Sequence, residues 1–130
     1  MHTHNIAKLN TDQIKITNIM EREILILKNQ SETIRLDIKE IVAIICEDYC
    51  TTFYYSEKIK RFSCCKSLNQ TEKLLENVEN WLRINRKTII FTQKVISLNR
   101  VSRTVMLQGN IEQQVSIRKL PILNKMLEIN

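Results

Sequence analysis

Apolar residues from Glu23 onward fall into short runs that alternate with polar residues, as strands do, rather than into long helical stripes. The run EILILK is followed by the turn-like NQS and then by ETIRLDI, in which Ile34, Leu36 and Ile38 fall on one face. This pattern predicts an antiparallel hairpin. QIKIT, at residues 13–17, predicts an earlier short strand.

A continuously apolar and β-branched run, IVAIIC at residues 41–46, predicts a strand that is buried on both faces. The polar break EDYC leads from it into a second run, TTFYY. After a turn at residues 56–58, KIKRFSCC predicts the returning strand.

The clearest helical pattern covers residues 66–81, where Leu68, Leu75 and Val78 recur at helical spacing. Ser67 suits the N-cap of this helix, with Gln70 at the capping-box position. The pattern predicts one helix that ends at Trp81. The stretch that follows, WLRINRKTIIF, would then lie at a corner between a helix and a strand.

Beyond this corner, KTIIF, VISLN, TVMLQ and QQVSI predict four more strands, with QGN at residues 108–110 as the clearest hairpin turn. Pro121 fits the first position of a last helix that runs to about Glu128 and buries Leu123, Met126 and Leu127. The elements together predict a β-dominated α+β fold, in which several short strands form small sheets with one central helix and a short C-terminal helix.

The length and composition fit one domain of ordinary size, with 130 residues, of which 43% are hydrophobic and 26% charged. We expect residues 1–20 to form an arm, mobile over its first dozen residues, and residues 21–130 to form the domain. The arm is too short to be a receiver domain. Because the chain shows neither a long apolar run nor a secretory signal, we expect a cytoplasmic protein.

Positive charge is concentrated in the second half of the chain. The formal net charge is +6, and residues 83–119 hold eight basic residues against one acid, Glu112, a balance of +7. A one-sided field of this kind attracts polyanions, which makes nucleic acid the leading class of partner. Binding to an anionic membrane surface would also require a basic amphipathic helix, whereas the pattern of this span predicts strands and turns.

Three of these bases, Arg83, Arg86 and Lys87, lie within five positions at the predicted corner. Corners present side chains to partners, although a solvated loop with a few cations is the simpler interpretation. Arg83 has a further alternative. Since it follows the predicted helix, it can cap carbonyl groups there or pair with a helix glutamate.

Five motifs follow one another in the order IICEDYCTT, CKSL, WLRINRKTII, VISL and VSIRK. In this order and spacing, residues 41–127 resemble the LytTR DNA-binding domain family. The family pattern has a Tyr-Thr loop, a Lys-Ser-Leu helix start, an Arg-x-His-Arg-Ser corner and a Val-Ser-x-Arg before the final helix. The chain departs from it at Cys50, where the family has Thr, and at Asn85, Lys87 and Thr88, where it has His, Ser and often Tyr.

The resemblance implies a stand-alone, bacterial-type transcription regulator that inserts loop side chains into successive major grooves of duplex DNA. Among the implied contacts, Arg86 and Arg118 suit guanine, because the planar fork of arginine matches its two acceptors. Lys87, Lys119 and Arg103 suit phosphates. The candidate DNA-binding residues are Cys50, Thr51, Arg83, Asn85, Arg86, Lys87, Arg103, Arg118 and Lys119.

The resemblance also implies the partners. The DNA would carry two direct repeats about one helical turn apart, with a second copy of the chain as a candidate partner on it. A membrane or sensor protein is a candidate source of the regulatory signal. Neither a cofactor nor a small-molecule substrate is implied.

Cys46, Cys50, Cys64 and Cys65 lie on two runs that predict neighbouring strands. The chain has no CxxC motif, and adjacent cysteines on a strand point to opposite faces. We therefore interpret the four as structural thiols, with a zinc site or a redox pair as alternatives. His2 and His4 in the arm have no neighbours in the sequence that complete a metal site.

Two other classes of function are alternatives to DNA binding. An enzyme is disfavoured, because beyond the arm the chain has no histidine, no glycine-rich phosphate loop and no acid pair within an apolar run. An RNA-binding or protein-interaction module that uses the same basic face stays open. RNA would need exposed aromatic side chains for stacking, and the chain clusters only Phe53, Tyr54 and Tyr55.

Overall fold

The computed structural model describes residues 12–129, and these residues form three antiparallel sheets and two α-helices. The strands are β1 Gln13–Ile19, β2 Arg22–Lys28, β3 Thr33–Asp37, β4 Ile41–Glu47, β5 Cys50–Tyr55, β6 Lys60–Cys64, β7 Trp81–Asn85, β8 Thr88–Phe91, β9 Val95–Asn99, β10 Thr104–Leu107 and β11 Ile111–Gln114. The helices are α1 Leu68–Leu74 and α2 Leu120–Ile129, and short 3₁₀ turns lie at Ile38–Glu40 and Thr92–Lys94. The β-dominated α+β class is confirmed. No helix among residues 12–129 is long and apolar enough to cross a membrane.

The first sheet has the order β1-β2-β3 and lies over the core. Its inward side chains, such as Leu25, Leu27 and Leu36, are buried because the apolar positions alternate along the strands. The predicted β2–β3 hairpin is confirmed, and so is the strand over residues 13–17, which extends to Ile19. Residues 1–11 of the expected arm lie outside the described residues, and the division of the chain at residue 20 stays a prediction.

The central sheet has five strands in the order β6-β5-β4-β8-β7. Its middle strand, β4, is buried on both faces, as its apolar run predicts. Ile44 packs in a core under the first sheet and α1, whereas Ala43 and Ile45 pack in a second core with the third sheet and α2. The central sheet therefore divides the hydrophobic interior into two layers.

The helix predicted over residues 66–81 is wrong in length, because α1 ends at Leu74. Its capping box is present as predicted, between Ser67 and Gln70. After α1 the chain turns, and Trp81 starts strand β7 with its indole Nε1 donating to the carbonyl oxygens of Leu75 and Val78. These bonds satisfy carbonyl groups that a longer helix would have used itself. The expected corner between a helix and a strand is therefore a β-hairpin.

The third sheet has the order β11-β10-β9 and packs beside α2. The turn predicted at residues 108–110 joins β10 to β11 as a hairpin, which is confirmed. The strand predicted over QQVSI ends early, at Gln114. The N–H of Val115 still bonds to the carbonyl oxygen of Arg103, next to β10, but the N–H of Ser116 bonds to that of Ile84 on β7. The final helix is confirmed, with Leu123 fully buried.

Candidate nucleic-acid interface

Strands β7 and β8 form a hairpin whose two-residue turn is Arg86–Lys87. Asn85 shapes this turn, because its Oδ1 accepts a hydrogen bond of 2.8 Å from the backbone N–H of Lys87. The carbonyl oxygen of Lys87 accepts a second bond, of 2.8 Å, from the N–H of Cys46 on β4. Both turn side chains are exposed. The backbone of the turn is thus held in place, while its two cations face solvent.

Arg83 braces the same turn from within the structure. Its Nη1 lies 2.6 Å from Oδ1 of Asn69 and 2.9 Å from Oε1 of Glu72, both on α1. Its Nη2 donates to the carbonyl oxygen of Arg86 at 2.6 Å. The guanidinium therefore ties the hairpin to the helix. Of the alternatives for Arg83, the structure therefore shows the ion pair with a helix glutamate, Glu72.

Strand β11 and the segment after it support the other side of the hairpin. Nδ2 of Asn85 donates to the carbonyl oxygen of Gln114 at 2.7 Å, and the Thr88 hydroxyl donates to Oε1 of Gln113 at 3.0 Å. The N–H of Ser116 donates to the carbonyl oxygen of Ile84 at 2.9 Å. These bonds set residues 115–119, which include Arg118 and Lys119, beside the hairpin.

A cleft of about 650 Å³ opens between the hairpin and this segment, and we call it the basic cleft. Five of its lining residues are basic and none is acidic, and the charge of one of the five, Arg83, is matched by Glu72. Among residues 12–129, the side chains of Arg86, Lys87 and Arg118 form no hydrogen bond or ion pair. The basic cleft is lined by Arg83, Asn85, Arg86, Lys87, Gln114, Ser116, Arg118 and Lys119.

A second cleft, of about 660 Å³, lies on the opposite side of the hairpin turn, and we call it the turn cleft. It is bounded by the β4–β5 turn, where Asp48 and Tyr49 both have positive φ, of 49° and 67°. The Tyr49 side chain is 93% exposed. Lys66, which precedes α1, also lines this cleft. The Arg86–Lys87 turn therefore stands between two open clefts.

Three of the sequence-predicted site residues lie apart from the basic cleft. Thr51 is fully buried, and its hydroxyl donates to the carbonyl oxygen of Lys66 at 2.5 Å, so it secures the start of α1. Cys50 faces Cys65, with 3.6 Å between their Sγ atoms. Arg103 lies in the β9–β10 turn with φ of 55°, and its Nη1 donates to the carbonyl oxygen of Val115 at 3.4 Å.

The cysteines differ in their surroundings. Burial, above all, raises the pKa of the Cys64 thiol to about 12, and the Asp12 carboxylate adds to the shift. A hydrogen bond with Cys50, together with partial burial, raises the pKa of Cys65. No three Cys, Asp or Glu side chains within residues 12–129 gather as a metal site requires. His2 and His4 lie outside the described residues.

Residues 31–128 match the family described as the LytTr DNA-binding domain. The chain belongs to the LytTr DNA-binding domain family. This match confirms the resemblance that the order of the five motifs indicates. LytTr domains are DNA-binding modules of transcription regulators, and their family is not one of enzymes.

One solved structure similar to this chain is the LytTr DNA-binding domain of a protein described as a methyl-accepting/DNA response regulator from Bacillus cereus. The TM-score is 0.66 and the sequence identity 18%, over 80% of this chain and 95% of that chain. At this identity the likeness shows the LytTr fold and nothing finer. A comparison with curated proteins finds no match.

Several residues that build the interface carry no signal in the sequence. Gln113, Gln114 and Asn69 hold the hairpin through bonds to residues 14 to 29 positions away in the chain. A glutamine or asparagine on a surface strand or helix has no pattern that distinguishes such a role. Only the packing of β11 and of α1 against the hairpin brings them into place.

Proposed function

We propose that this LytTr protein binds duplex DNA sequence-specifically, with the Arg86–Lys87 turn entering the major groove. The observation that carries the proposal is the basic cleft, whose lining holds five basic residues and no acid. A cleft of one sign concentrates the field and attracts the phosphate backbone. A protruding β-turn with exposed cations on a braced backbone is a suitable element for a groove about 12 Å wide.

Arg86 and Arg118 are the side chains that we assign to base reading. Both are exposed, and within the described residues neither guanidinium has a partner, so their donors are available to a ligand. The guanidinium fork matches the O6 and N7 acceptors of guanine in the major groove. They lie on opposite walls of the basic cleft, one from the hairpin and one from the segment before α2.

Lys87 and Lys119 are assigned to phosphates, because an ammonium group acts as a point charge without the fork of arginine. Arg103 lies outside the basic cleft and is assigned to the flanking backbone. These contacts would fix the register of the protein on the duplex and contribute affinity for any sequence.

Arg83 and Asn85 are assigned a positioning role in place of a direct DNA contact. Each already uses its polar groups within the protein, Arg83 on α1 and the Arg86 carbonyl, and Asn85 on Lys87 and Gln114. Holding the turn before DNA arrives lowers the entropy that is lost on binding. On the other side, the exposed Tyr49 is a better candidate for contact than the buried Thr51.

The RNA-binding alternative is less well supported, because its aromatic cluster packs largely against the two hydrophobic cores. Phe53 is fully buried, and Tyr54 and Tyr55 pack partly buried against the two cores. Rings that are packed in this way are poorly placed to stack on single-stranded bases.

Selection of bound duplexes from a random pool tests the proposal. We expect an enriched motif that contains guanine, arranged as two imperfect direct repeats about one helical turn apart and occupied by two copies of the chain. Single-stranded RNA should compete poorly with the selected duplex. Failure to enrich any motif would reject sequence-specific binding, and full affinity for one isolated half-site would reject the repeat arrangement.

A further inference from the structure

Cys50 and Cys65 face each other across the ends of two neighbouring strands. Strand β5 pairs with β6 so that Thr51 lies opposite Cys64. The next step of this antiparallel register sets Cys50, the first residue of β5, opposite Cys65. Their Sγ atoms are 3.6 Å apart, whereas a disulfide needs about 2.05 Å. A closure of about 1.5 Å is within the reach of side-chain rotation with a small backbone shift.

The backbone at this position also favours close side chains. The N–H of Cys65 donates to the carboxylate of Asp12 at 2.6 Å, and so it is not used to pair with β5. In antiparallel pairs, residues opposite each other without mutual backbone bonds have the closest side chains. The short distance between the two sulfur atoms is thus a consequence of the sheet register and of the Asp12 contact.

The other two cysteines have no such partner. Cys64 is buried, with its Sγ 3.6 Å from the carbonyl oxygen of Lys28. Cys46 is half-buried on β4, opposite Thr51 of β5. By contrast, Cys65 is exposed and Cys50 half-buried. An oxidant in solution therefore reaches this facing pair and not the sulfur of Cys64.

We propose that Cys50 and Cys65 form a reversible dithiol–disulfide site, and that its oxidation by a hydroperoxide lowers the affinity of the protein for DNA. One thiolate attacks a peroxide oxygen and becomes a sulfenic acid, and the other peroxide oxygen leaves as water or an alcohol. The second sulfur then attacks the sulfenic sulfur, whose oxygen leaves as water. Two thiols are oxidised and one peroxide is reduced. A small thiol returns the pair to the dithiol by exchange.

The link to DNA rests on the proposed function and on the position of the pair. Cys50 follows directly on the Asp48–Tyr49 turn, and Cys65 lines the turn cleft together with Tyr49, Arg86 and Lys87. Drawing the two sulfur atoms together moves this turn relative to Arg86. Because base contacts depend on placement to within a fraction of an ångström, such a shift weakens binding.

The site itself is tested without DNA. The folded protein is treated with hydrogen peroxide, its remaining thiols are alkylated, and protease fragments are mapped by mass spectrometry. We expect a Cys50–Cys65 disulfide that is absent in Cys65→Ser, unchanged in Cys46→Ser and removed by dithiothreitol. Its rate should rise with pH, since the raised pKa of Cys65 keeps that thiol protonated near neutrality. A different disulfide, or none, would overturn the proposal.

The regulatory consequence is tested by titrating a selected duplex with reduced and oxidised protein. We expect the oxidised protein to bind severalfold more weakly, with full recovery on reduction, and Cys65→Ser to bind equally well before and after peroxide. A mapped disulfide with unchanged affinity would overturn the regulatory link. If the reduced protein bound no DNA, the proposed function would fail, but the disulfide mapping would still stand.

Discussion

The guanidinium of Arg83 donates to the carbonyl oxygen of Arg86 at 2.6 Å, so one arginine of the hairpin holds the backbone from which the other projects. The same guanidinium is anchored to Glu72 on α1, at 2.9 Å. The two arginines are three positions apart. The Arg83 side chain is bonded within the protein, whereas the Arg86 side chain is exposed to solvent. Under the proposed function, base reading by Arg86 would depend on Arg83, without any DNA contact by Arg83 itself.

Replacing Arg83 tests this dependence. Because Arg83→Ala removes three hydrogen bonds and leaves Glu72 without its partner, we expect a loss of about 1 to 2 kcal/mol in the free energy of unfolding. Affinity for the selected duplex should fall as well. Arg83→Lys keeps the charge but cannot bridge Glu72 and the Arg86 carbonyl together, so it should recover only part of both. Unchanged stability, with a salt dependence of binding lowered by one unit, would show instead that Arg83 contacts phosphate.

Asn85 offers a test in which no charge changes. Asn85→Ala removes the bonds to the Lys87 N–H and the Gln114 carbonyl, at an expected cost of about 1 to 2 kcal/mol in unfolding free energy. DNA affinity should fall while its salt dependence stays constant. Asn85→His, the residue typical of the family at this position, keeps a donor and an acceptor and should restore most of the affinity. Binding by Asn85→Ala as tight as that of the unchanged protein would show that the turn needs no such brace.

The buried Cys64 thiol should make the free energy of unfolding fall as the pH rises into the alkaline range. The unfolded chain releases this thiol proton near its ordinary value of 9.0, whereas burial holds the pKa at about 12 in the folded protein. Stability from this group is therefore complete below pH 9 and is lost as pH rises toward 12, by about 1.4 kcal/mol at pH 10. Urea unfolding under reducing conditions should show the stability advantage over Cys64→Ala shrinking by this amount between pH 7 and pH 10. The advantage over Phe62→Leu, another core change, should stay constant.

The dependence of DNA affinity on salt tests the electrostatic part of the account. Each phosphate neutralised by Lys87, Lys119 or Arg103 releases counterions, so a plot of the logarithm of affinity against the logarithm of salt concentration should have a negative slope of several units. Glu112→Gln, which removes the one acid between Arg83 and Lys119, should not reduce this slope. Affinity that is equal at low and moderate salt would contradict contact through the basic cleft.

The sequence predicted the elements better than it predicted their ends. The continuously apolar run IVAIIC identifies β4, because a central strand needs apolar residues on both faces. The helical spacing of Leu75 and Val78 predicted a helix longer than α1. Both residues are instead buried from the turn after α1, where the Trp81 indole donates to their carbonyl groups. Local periodicity does not report such tertiary bonds.

The sequence indicates some residues of the candidate site and not others, again because local patterns do not report tertiary contacts. Arg86, Lys87, Arg118 and Lys119, which the sequence singles out as candidates, line one cleft in the structure. Thr51 lies apart from the basic cleft because it is buried and bonds to the carbonyl oxygen of Lys66. Its identity as a threonine does not indicate this burial. The bond from Asn85 to Gln114 likewise depends on how the third sheet packs against the hairpin, which local sequence patterns do not report.

Arg86 and Lys87 are adjacent in one exposed turn, and comparing their alanine variants tests the central claim most directly. Each variant is titrated against the selected duplex and against a scrambled duplex of equal length. We expect Arg86→Ala to lose about 1 to 3 kcal/mol of discrimination at one base position. Lys87→Ala should weaken both duplexes equally and lower the salt slope by about one unit. Equal weakening of both duplexes by Arg86→Ala, with discrimination intact, would contradict base reading by the hairpin turn.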